Sequence, residues 1–441
     1  MAYKHNSSYA IEIRSAHKAL KRTLDLYRNA VTYLLTPVIE HWNEVAVIKG
    51  SNQRMNYIES IVHNTKVHKA SYDFDDRFYK FPSYLRRSAI VAAIGAVASY
   101  KSNYENWLKA GSNGKEPAFS YDRHQCPALY RGDMFKWDMN GNALIKVYEN
   151  NDWVWRELSL RKTDVSYFEK RTAVNNICKF FSPILEKKHG KYFLRFALKE
   201  EVELSDRSIY ERKVCAVDLG LNTDATCSVI DVHGTVLSRR FINCGIEKDY
   251  VKNALHRVSV FQRLHGSHDV QRLWSVAERR NHNLANLVAH DIVEFARECG
   301  CDVIVFEYLD TRGKKRGSKK QRLTMWKHRD IQNTAESLAH KYGMRVSHVN
   351  AWNTSKLAYD GSGIVKRGRA VSQHTPYDVC RFSNGKMYNC DLSASYNIGA
   401  RYFIRELIKE IPGIQAEVPD IGSGTRRTLS DLWRINDAIV L

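Results

Sequence analysis

The chain has 441 residues, of which 44% are hydrophobic, so it is long enough to bury the cores of two or three domains. Lys and Arg outnumber Asp and Glu by 68 to 48, which gives a formal net charge of +20 at pH 7. Such an excess favours a polyanionic partner, with nucleic acid ahead of an acidic membrane surface. A basic soluble enzyme without a polyanionic partner is the remaining alternative.

Membrane insertion and secretion are both disfavoured by the sequence. The longest uncharged apolar run, residues 89–98, is too short to span a bilayer, and the first eight residues lack the apolar segment of a signal peptide. The nine cysteines are an odd number scattered through strand-like and helix-like segments, which indicates reduced core thiols rather than a disulfide framework. We therefore expect a cytoplasmic protein that binds no membrane.

The first half of the chain combines helical and strand-like segments. Residues 8–15 predict a short strand, residues 17–42 a helix with Pro37 as a kink or boundary, and residues 82–107 a second helix. Beyond these helices the pattern changes to alternating strands, with a hairpin turn at residues 150–152. We interpret this half as a small β domain into which helices are inserted.

The second half predicts an α/β layer fold. Three strands follow one another within residues 213–243, and a long helix, further strands and further helices alternate after them. The long helix is expected to begin at Ser267, as its N-cap, and to stop at Gly300. Helical spacing predicts its buried face: Leu284, Leu287, Val288, Ile292, Phe295 and Ala296.

Three single carboxylates lie at the ends of otherwise apolar core segments. Asp218 lies in the first of the three strands, Glu307 near the end of the strand "CDVIVFEYLD", and Asp391 at the start of a helix. Ligands gather at strand ends in an α/β sheet, so we expect these side chains to converge. Three ionised carboxylates need cations between them, and hard oxygen ligands select Mg²⁺ or Mn²⁺. Two such ions roughly 4 Å apart would stabilise both oxygens of a phosphodiester displacement.

Each carboxylate also has a purely structural interpretation. Asp218 would accept hydrogen bonds in the following Leu-Gly turn, Glu307 would pair with a lysine of the next loop, and Asp391 would cap its helix. Capping is the favoured role for Asp391 taken alone. Together, in a chain of this charge, the three residues favour a metal site, and Asp224 is interpreted as a turn residue.

A basic segment directly follows Glu307. Residues 311–329 contain nine Lys or Arg and no acid, which indicates either a solvated loop or a surface that neutralises phosphates. Further candidate cations are interleaved with aromatic rings upstream, or lie in a basic loop before Asp391. The predicted nucleic-acid-binding residues are Arg86, Arg87, Lys101, Lys314, Lys315, Arg316, Lys319, Lys320, Arg322, Arg367, Arg369 and Arg381.

The three carboxylate segments carry a family resemblance. "AVDLGLNTDAT", "VIVFEYLD" and "CDLSASYNIGARYF" resemble, in order, spacing and local text, the three RuvC motifs of TnpB, the transposon-encoded RNA-guided nuclease, and of the related miniature type V CRISPR effectors. The resemblance covers residues 213–404 and implies an RNase H-like nuclease domain whose acidic triad is Asp218, Glu307 and Asp391. Before residue 213 it concerns architecture alone, namely a small β-barrel wedge domain with an inserted helical recognition lobe.

The resemblance implies an RNA-guided DNA endonuclease. Such a protein binds a guide RNA, recognises a short motif beside double-stranded target DNA, and cuts the DNA at one metal-dependent site with water as the nucleophile. We expect two Mg²⁺ or Mn²⁺ ions and a monomer bound to RNA. The implied domains are the first wedge strand at 1–15, the recognition lobe at 16–112, the rest of the wedge at 113–208, the nuclease domain with motifs one and two at 209–350, a degenerate zinc-ribbon-like target-nucleic-acid-binding segment at 351–390, the third-motif helix at 391–411 and a C-terminal tail at 412–441.

The chain departs from the TnpB pattern in its zinc ribbon. Family members usually carry two Cys-x-x-Cys pairs between the second and third motifs. Here Ala358 and Gly361 stand where the first pair would fall, and Ser383 stands where the partner of Cys380 belongs. Structural zinc normally requires four Cys or His ligands. Cys380, Cys390 and His374 with one further group are an alternative set of ligands, but we expect no zinc in this segment.

Two other classes of protein fit the same sequence. A nucleic-acid-binding regulator would bind its target without efficient cleavage, with a slow site or a structural metal. A guide-independent resolvase or transposase on the same fold would act on junctions or transposon ends without RNA. A CRISPR-encoded effector would share the mechanism of TnpB, and only the identity of the bound RNA would separate those two.

Overall fold

Helices and strands make up most of the described chain. The computed structural model describes residues 2–137, 142–173, 179–266, 270–309, 324–411, 413–414 and 426–440. It divides into two units, one formed by residues 6–201 and the other by residues 1–5 and 202–441. Both units combine helices with sheets, which confirms the predicted mixed α/β class. No helix among the described residues combines the length and the apolar character needed to cross a bilayer.

The unit of residues 6–201 places α-helices between its first and second strands. Its strands are β1 (Ala2–Ile13), β2 (Phe135–Trp137), β3 (Ala143–Glu149), β4 (Asp152–Leu158), β5 (Lys179–Phe180), β6 (Ile184–Lys188) and β7 (Lys191–Glu203). Its helices are α1 (His17–Glu40), α2 (Trp42–Val47), α3 (Ser51–Val62), α4 (Phe74–Arg77), α5 (Ser83–Lys109) and α6 (Lys162–Ala173). Apolar stripes of α1 and α5 and the inner faces of the strands share one core.

Local sequence signals position these elements well. Pro37 lies in the last turn of α1, and the chain enters α2 one residue after α1 ends, so the predicted boundary is confirmed. The predicted hairpin joins β3 to β4 through Asn150 and Asn151, whose φ angles are +50° and +60°. Asn tolerates this left-handed region better than most residues because its short side chain bonds locally to the backbone.

The predicted closed barrel is not found among the described residues. Strands β1, β7, β5 and β6 form one open sheet, and β2, β3 and β4 form another. A single bridge between Ile13 and Leu160 connects the end of β1 to the chain just beyond β4. Closure of a barrel requires a continuous ladder on both sides, and the described parts of β2 and β6 are not paired with each other.

The unit that begins at residue 202 is built on a five-stranded mixed sheet. Its elements are β8 (Val214–Leu219), β9 (Ala225–Ile230), β10 (Val236–Ile242), α7 (Gly245–His265), α8 (Gln271–Glu298), β11 (Val303–Tyr308), α9 (His328–Lys341), β12 (Arg345–Asn350), β13 (Lys366–Arg367), β14 (Val379–Arg381), β15 (Met387–Asn389), α10 (Cys390–Glu410) and α11 (Leu429–Val440). The strand order is β10-β9-β8-β11-β12, antiparallel up to β8 and parallel from β8 to β12.

Helices cover both faces of this sheet. One face packs against α10 and α11, and the other packs against α8 and α9. Strands β8, β9 and β11 are nearly continuous runs of apolar residues because both faces are buried. A small three-stranded sheet, β13-β14-β15, precedes α10 and has an apolar cluster of its own.

The long helix α8 differs from its prediction at two points. Ser267, the predicted N-cap, lies outside the described residues, whereas the predicted stop is confirmed by Gly300, whose φ is +64°. Val288, Ile292, Phe295 and Ala296 are buried as expected, but Leu287 is 37% exposed. Leu287 lies at the edge of the predicted stripe, where the width of the covering layer decides burial.

Candidate functional site

Asp218 and Glu307 lie side by side at one edge of the five-stranded sheet. Strands β8 and β11 are parallel neighbours, and Val217 is paired with Phe306. Asp218 and Glu307 each follow one residue later, at the carboxyl ends of their strands. Adjacent strands lie about 4.8 Å apart, so the two backbones are neighbours at this edge.

Both side chains point to the face of the sheet that α10 covers. Side chains alternate across a strand, and Ala216 and Val305, two residues before the two acids, pack in the core formed with α10. Asp391 lies in the first turn of that helix. The sequence therefore brings three carboxylates from two strands and one helix toward one place, as their positions at element ends predict.

Asn389, rather than Asp391, caps helix α10. The Asn389 side-chain oxygen accepts the backbone N–H groups of Asp391 at 3.0 Å and of Leu392 at 2.9 Å. The capping role considered for Asp391 is thus filled by a neighbour. The Asp391 carboxylate is free for other partners, although it still benefits from the positive end of the helix dipole.

The pKa values show that the three acids interact. Burial, followed by the charges of Glu307 and Asp391, raises the pKa of Asp218 well above its ordinary value. Burial also raises the pKa of Asp391, and the nearby Arg367 guanidinium only partly offsets this rise. The folded protein therefore disfavours the fully ionised cluster unless a cation is added.

Glu307 carries an unsatisfied oxygen. The residue is 7% exposed, and its Oε1 atom is buried without a hydrogen-bond partner among the described residues. Burial raises the pKa of Glu307, while a hydrogen bond from Thr354 and the charge of Arg401 act in the opposite direction. A buried carboxylate oxygen without a partner costs free energy, so this atom marks a place for a donor or a cation.

Arg367 pairs with Asp391 and supplies positive charge at the site. Its Nη2 atom lies 3.2 Å from Asp391 Oδ1, and its charge also lowers the pKa of Asp218. The Arg367 Nε–H is buried and finds no acceptor among the described residues. The guanidinium also lies over the exposed ring of Tyr377, 5.4 Å from its centroid.

The residues fit a divalent cation by their chemistry. Three carboxylates with raised pKa values, one of them with an orphaned oxygen, are the hard oxygen donors that Mg²⁺ and Mn²⁺ prefer. Within the described chain, however, no three His, Cys, Asp or Glu side chains are gathered closely enough to chelate an ion. In this arrangement the Asp391 carboxylate is paired with Arg367.

The structural interpretations proposed for Asp218, Asp224 and Glu307 have different outcomes. The N–H of Gly220, in the turn after Asp218, donates to the backbone oxygen of Asp224. Asp224 itself is a turn residue as predicted, since its carboxylate accepts the Cys244 N–H at 2.8 Å and pairs with Lys248 at 3.0 Å. The lysines proposed as partners of Glu307 lie outside the described residues.

The predicted nucleic-acid-binding cations fall into distinct groups. Arg86 is 5% exposed and pairs with Glu59 at 3.0 Å, so its burial argues against the predicted contact. Arg87, more exposed, shares the same Glu59 at 2.9 Å. Lys101 is half-buried on α5. Six predicted cations lie outside the described residues: Lys314, Lys315, Arg316, Lys319, Lys320 and Arg322.

The two remaining predicted cations lie in the segment before α10. Arg369 and Arg381 are both exposed and make no ion pair with any described residue. Arg381 belongs to the sheet β13-β14-β15, whose apolar cluster consists of Ala358, Val365, Cys380, Phe382 and Cys390. The fully buried Ala358 thus fills a core position in this segment, where the TnpB pattern would place a cysteine.

Sequence reasoning missed two side chains at the site. Thr226 on β9 is the cross-strand partner of Asp218, and its buried hydroxyl has no hydrogen-bond partner among the described residues. Thr354 is 2% exposed, its hydroxyl donates to the Ala351 carbonyl oxygen at 3.0 Å, and its proximity lowers the pKa of Glu307. For Thr226 a signal existed, because it is one of two hydroxyl residues, with Ser228, in a strand buried along its whole length. Thr354 lies in a loop, and nothing local indicates its contact.

Comparison with known proteins finds relatives that match only part of this chain. A family model described as the Aq_aa04 family matches residues 7–149, which is less than half of the chain. The uncharacterized protein aq_aa04 of Aquifex aeolicus is 29% identical over 119 residues, 26% of this chain and 65% of the length of that protein. The TnpB-like protein aq_aa05 of the same organism is 26% identical over 237 residues, 48% of this chain and 74% of that protein. The predicted resemblance to TnpB is confirmed by this second relative.

Solved structures give only weak overall similarity. A Cas12f1–sgRNA–target DNA complex superposes on 78% of this chain and 74% of its own, with 14% identity and a TM-score of 0.49. The C2c1 protein of Alicyclobacillus acidoterrestris with single-guide RNA covers 90% of this chain and 70% of its own, with 11% identity and a TM-score of 0.43. At these values the likeness establishes neither an activity nor a partner for this chain.

Proposed function

We propose that the chain is an RNA-guided DNA endonuclease of TnpB type, and that its five-stranded sheet is the core of an RNase H-like RuvC domain. The observation that supports this proposal is the position of Asp218 and Glu307 on neighbouring strands and of Asp391 in the first turn of α10, close enough for the charges of Glu307 and Asp391 to raise the pKa of Asp218. The similarity to the TnpB-like protein aq_aa05 supports the same conclusion. The three carboxylates are the proposed catalytic residues.

The three carboxylates would hold one or two Mg²⁺ or Mn²⁺ ions. Such ions, when bound, supply Lewis-acid stabilisation of a phosphodiester and an activated water. Glu307 offers its orphaned Oε1, and Asp218 offers a carboxylate whose ionised form the fold otherwise disfavours. The nearby Thr354 hydroxyl favours the ionised form of Glu307. The pKa values of the three acids are thus raised because the fold buries these carboxylates without the cation that would balance their charges.

Arg367 has a second role in this proposal. Once Asp391 binds a cation, the Arg367 guanidinium loses its ion-pair partner and becomes available to a phosphate. Its Nε–H already lacks an acceptor among the described residues. Arg369 and Arg381, exposed in the same segment, would extend this basic surface along the substrate strand.

The proposed partners are a guide RNA and double-stranded target DNA. The net charge of +20 supports binding to polyanions, and the TnpB-like relative supports an RNA-guided mode. We further propose a monomer bound to RNA in the cytoplasm, with the wedge and recognition-lobe boundaries predicted above and without zinc in residues 351–390. Whether the guide is encoded by a transposon or a CRISPR array is decided by sequencing the RNA that copurifies.

The decisive experiment replaces Asp218 by Ala in the chain purified with its RNA. Cleavage of a DNA library with a randomised flank is expected to fall at least 10³-fold, as when charge stabilisation is removed from an active site, while RNA and DNA binding persist. Glu298→Gln is the matched control, because Glu298 is exposed and pairs with Arg240 at the far end of α8. Undiminished cleavage by Asp218→Ala would remove the assignment.

A second candidate is a nucleic-acid-binding regulator without efficient cleavage. The Arg367–Asp391 ion pair favours it, because a guanidinium already neutralises one of the three acids. This candidate predicts target binding with no strand scission at any Mg²⁺ or Mn²⁺ concentration. Metal-dependent scission that is lost in Asp218→Ala would exclude it.

A further inference from the structure

A cavity lies on the opposite face of the sheet from the carboxylates, at the same edge. It encloses about 790 Å³ between α7, α8, the turn after β8 and residues 325–331. Its rim includes Gly220, two residues beyond Asp218, so the mouth begins within about 7 Å of chain from the proposed catalytic site. Binding pockets for small organic groups typically enclose about 300–1,000 Å³.

The walls of the cavity are apolar and aromatic. Leu255 of α7, Leu284 and Val288 of α8, and Trp326 line its interior. Trp326 is held in place because the neighbouring Met325 carbonyl accepts a hydrogen bond of 2.7 Å from the buried Asn281 amide. The chain therefore holds a flat aromatic ring at the side of an open apolar space.

Trp326 contributes aromatic surface to the wall of the cavity. Its indole Nε1–H is buried, so the contact that this residue offers a ligand is made by the ring and not by the N–H group. Flat aromatic ligands gain from such a contact, because stacking adds to the burial of apolar surface. A nucleobase provides a ring of this kind.

The charges at the mouth suit a phosphate-linked ligand. Lys252 and His256 are exposed on α7, line the cavity and make no ion pair with described residues. Lys248 neutralises Asp224, which leaves exposed Asp249 as the one lining acid of the described residues without a paired cation. Lys252 is thus placed to meet a backbone phosphate while the base enters the cavity.

We propose that this cavity binds one nucleobase of the single-stranded DNA that approaches Asp218, by stacking on Trp326, with the adjacent phosphate on Lys252. The inference rests on the proposed function, because it takes the substrate to be DNA. It adds a binding site that would fix the position of the strand relative to the cut. Trp326 and Lys252 are positioning residues in this scheme.

The experiment measures binding and not cleavage. Fluorescently labelled oligodeoxythymidylates of about eight nucleotides, intact or with one abasic position, are titrated with the full-length chain in EDTA at low salt. In the wild type, one abasic position is expected to weaken binding about tenfold, since stacking of one base contributes about that much. In Trp326→Ala the intact and abasic oligonucleotides should bind equally, and Trp326→Phe should retain part of the difference.

Lys252→Ala should weaken intact and abasic oligonucleotides alike, by a few-fold, whereas Arg257→Ala is the matched control. Arg257 is exposed on the same helix but does not line the cavity. The proposal is overturned if no abasic position matters, if Trp326→Ala keeps the full abasic effect, or if the wild type does not bind the oligonucleotides. A base effect that depends on Trp326 in a chain that never cuts DNA would uphold the cavity assignment and refute the nuclease.

Discussion

At the scale of single residues, Asp218, Glu307 and Asp391 carry negative charge where the fold gives it little compensation. Burial is the first cause of the raised pKa at each of the three, and mutual repulsion adds to it at Asp218. Arg367 offsets the charge of Asp391 only in part. Binding sites that disfavour their own ionised state are expected to be stabilised by their ligand.

Replacing Asp218 by Asn should stabilise the cation-free protein at neutral pH. Because the folded pKa of Asp218 is raised, the folded state holds a proton that the unfolded chain releases, so stability falls as pH rises above the unfolded value of about 3.9. The gain in Tm of Asp218→Asn over wild type should therefore shrink as pH is lowered toward 4. Thermal melts in EDTA across this range test the prediction.

Magnesium should reverse the order of stability in the same melts. At 100 times its Kd a cation stabilises the wild type by about 2.7 kcal/mol, and the variant, which lacks one ligand, should gain much less. Asp231→Asn is a suitable control, because Asp231 lies in the turn after β9, where its carboxylate accepts the Thr235 N–H. An equal response of wild type and Asp218→Asn to Mg²⁺ would contradict the proposed ligand set.

The sequence was sufficient to propose the three acids as a site but not to predict the residues that contact them. Asp218, Glu307 and Asp391 were identifiable because each is a lone charge at the end of an apolar element. The Arg367–Asp391 pair, the orphaned Glu307 oxygen and the proximity of Thr354 to Glu307 depend on how distant segments pack. No local pattern encodes such contacts.

At the scale of secondary-structure elements, helix α10 approaches the sheet unusually closely. A Cβ atom at Gly399 would lie 2.7 Å from Ile230 Cδ1 and 3.2 Å from Ala216 Cβ. Ser395, one turn earlier, makes a hydrogen bond of 2.5 Å with Ser228 of β9. The glycine therefore sets the distance between the helix that carries Asp391 and the strand that carries Asp218.

Gly399→Ala should destabilise the unit by about 1–3 kcal/mol through overpacking. It should also reduce cleavage, since Asp391 would move with its helix. Gly95→Ala is the matched control: Gly95 also lies inside a helix, α5, but a Cβ there meets nothing within 4 Å, so about 0.5–1 kcal/mol of stabilisation is expected. Denaturant unfolding distinguishes the two, and equal effects would refute the close-packing argument.

Elements were predictable where periodicity and breakers agree. The α8 stop at Gly300, the β3–β4 hairpin and the three-strand meander all follow from local signals. The exposure of Leu287 and the absence of a closed barrel among the described strands could not be predicted from local signals. Both depend on how segments distant in sequence pack against each other. Edge positions of a stripe and pairing between distant strands are decided by tertiary structure.

At the scale of the whole molecule, positive charge is the dominant property. The net charge of +20 belongs to a chain in which several cations are already paired internally, such as Arg86 with Glu59 and Arg240 with Glu298. Exposed cations that make no ion pair with a described residue, such as Arg369 and Arg381, are those available to phosphates. The net charge therefore overestimates the number of phosphate contacts, because a cation that is paired internally is less available to a phosphate.

Nucleic-acid affinity should fall steeply with salt. If six to ten phosphates are neutralised, binding should weaken about 10³- to 10⁵-fold between 50 and 200 mM salt. Arg381→Ala should reduce the slope of log K against log salt by about one, whereas Arg240→Ala should leave it nearly unchanged. Filter-binding titrations with one duplex at several salt concentrations measure both slopes, and identical slopes would argue against Arg381 as a phosphate contact.

The division of labour between Asn389 and Asp391 has an evolutionary consequence. Because the residue that starts helix α10 differs from the residue proposed to hold the metal, a single codon change at Asp391 would silence the chemistry and leave the helix, the sheet and the basic surfaces intact. For the proposed nuclease, one mutational step would thus separate a protein that cuts DNA from a folded protein that only binds it.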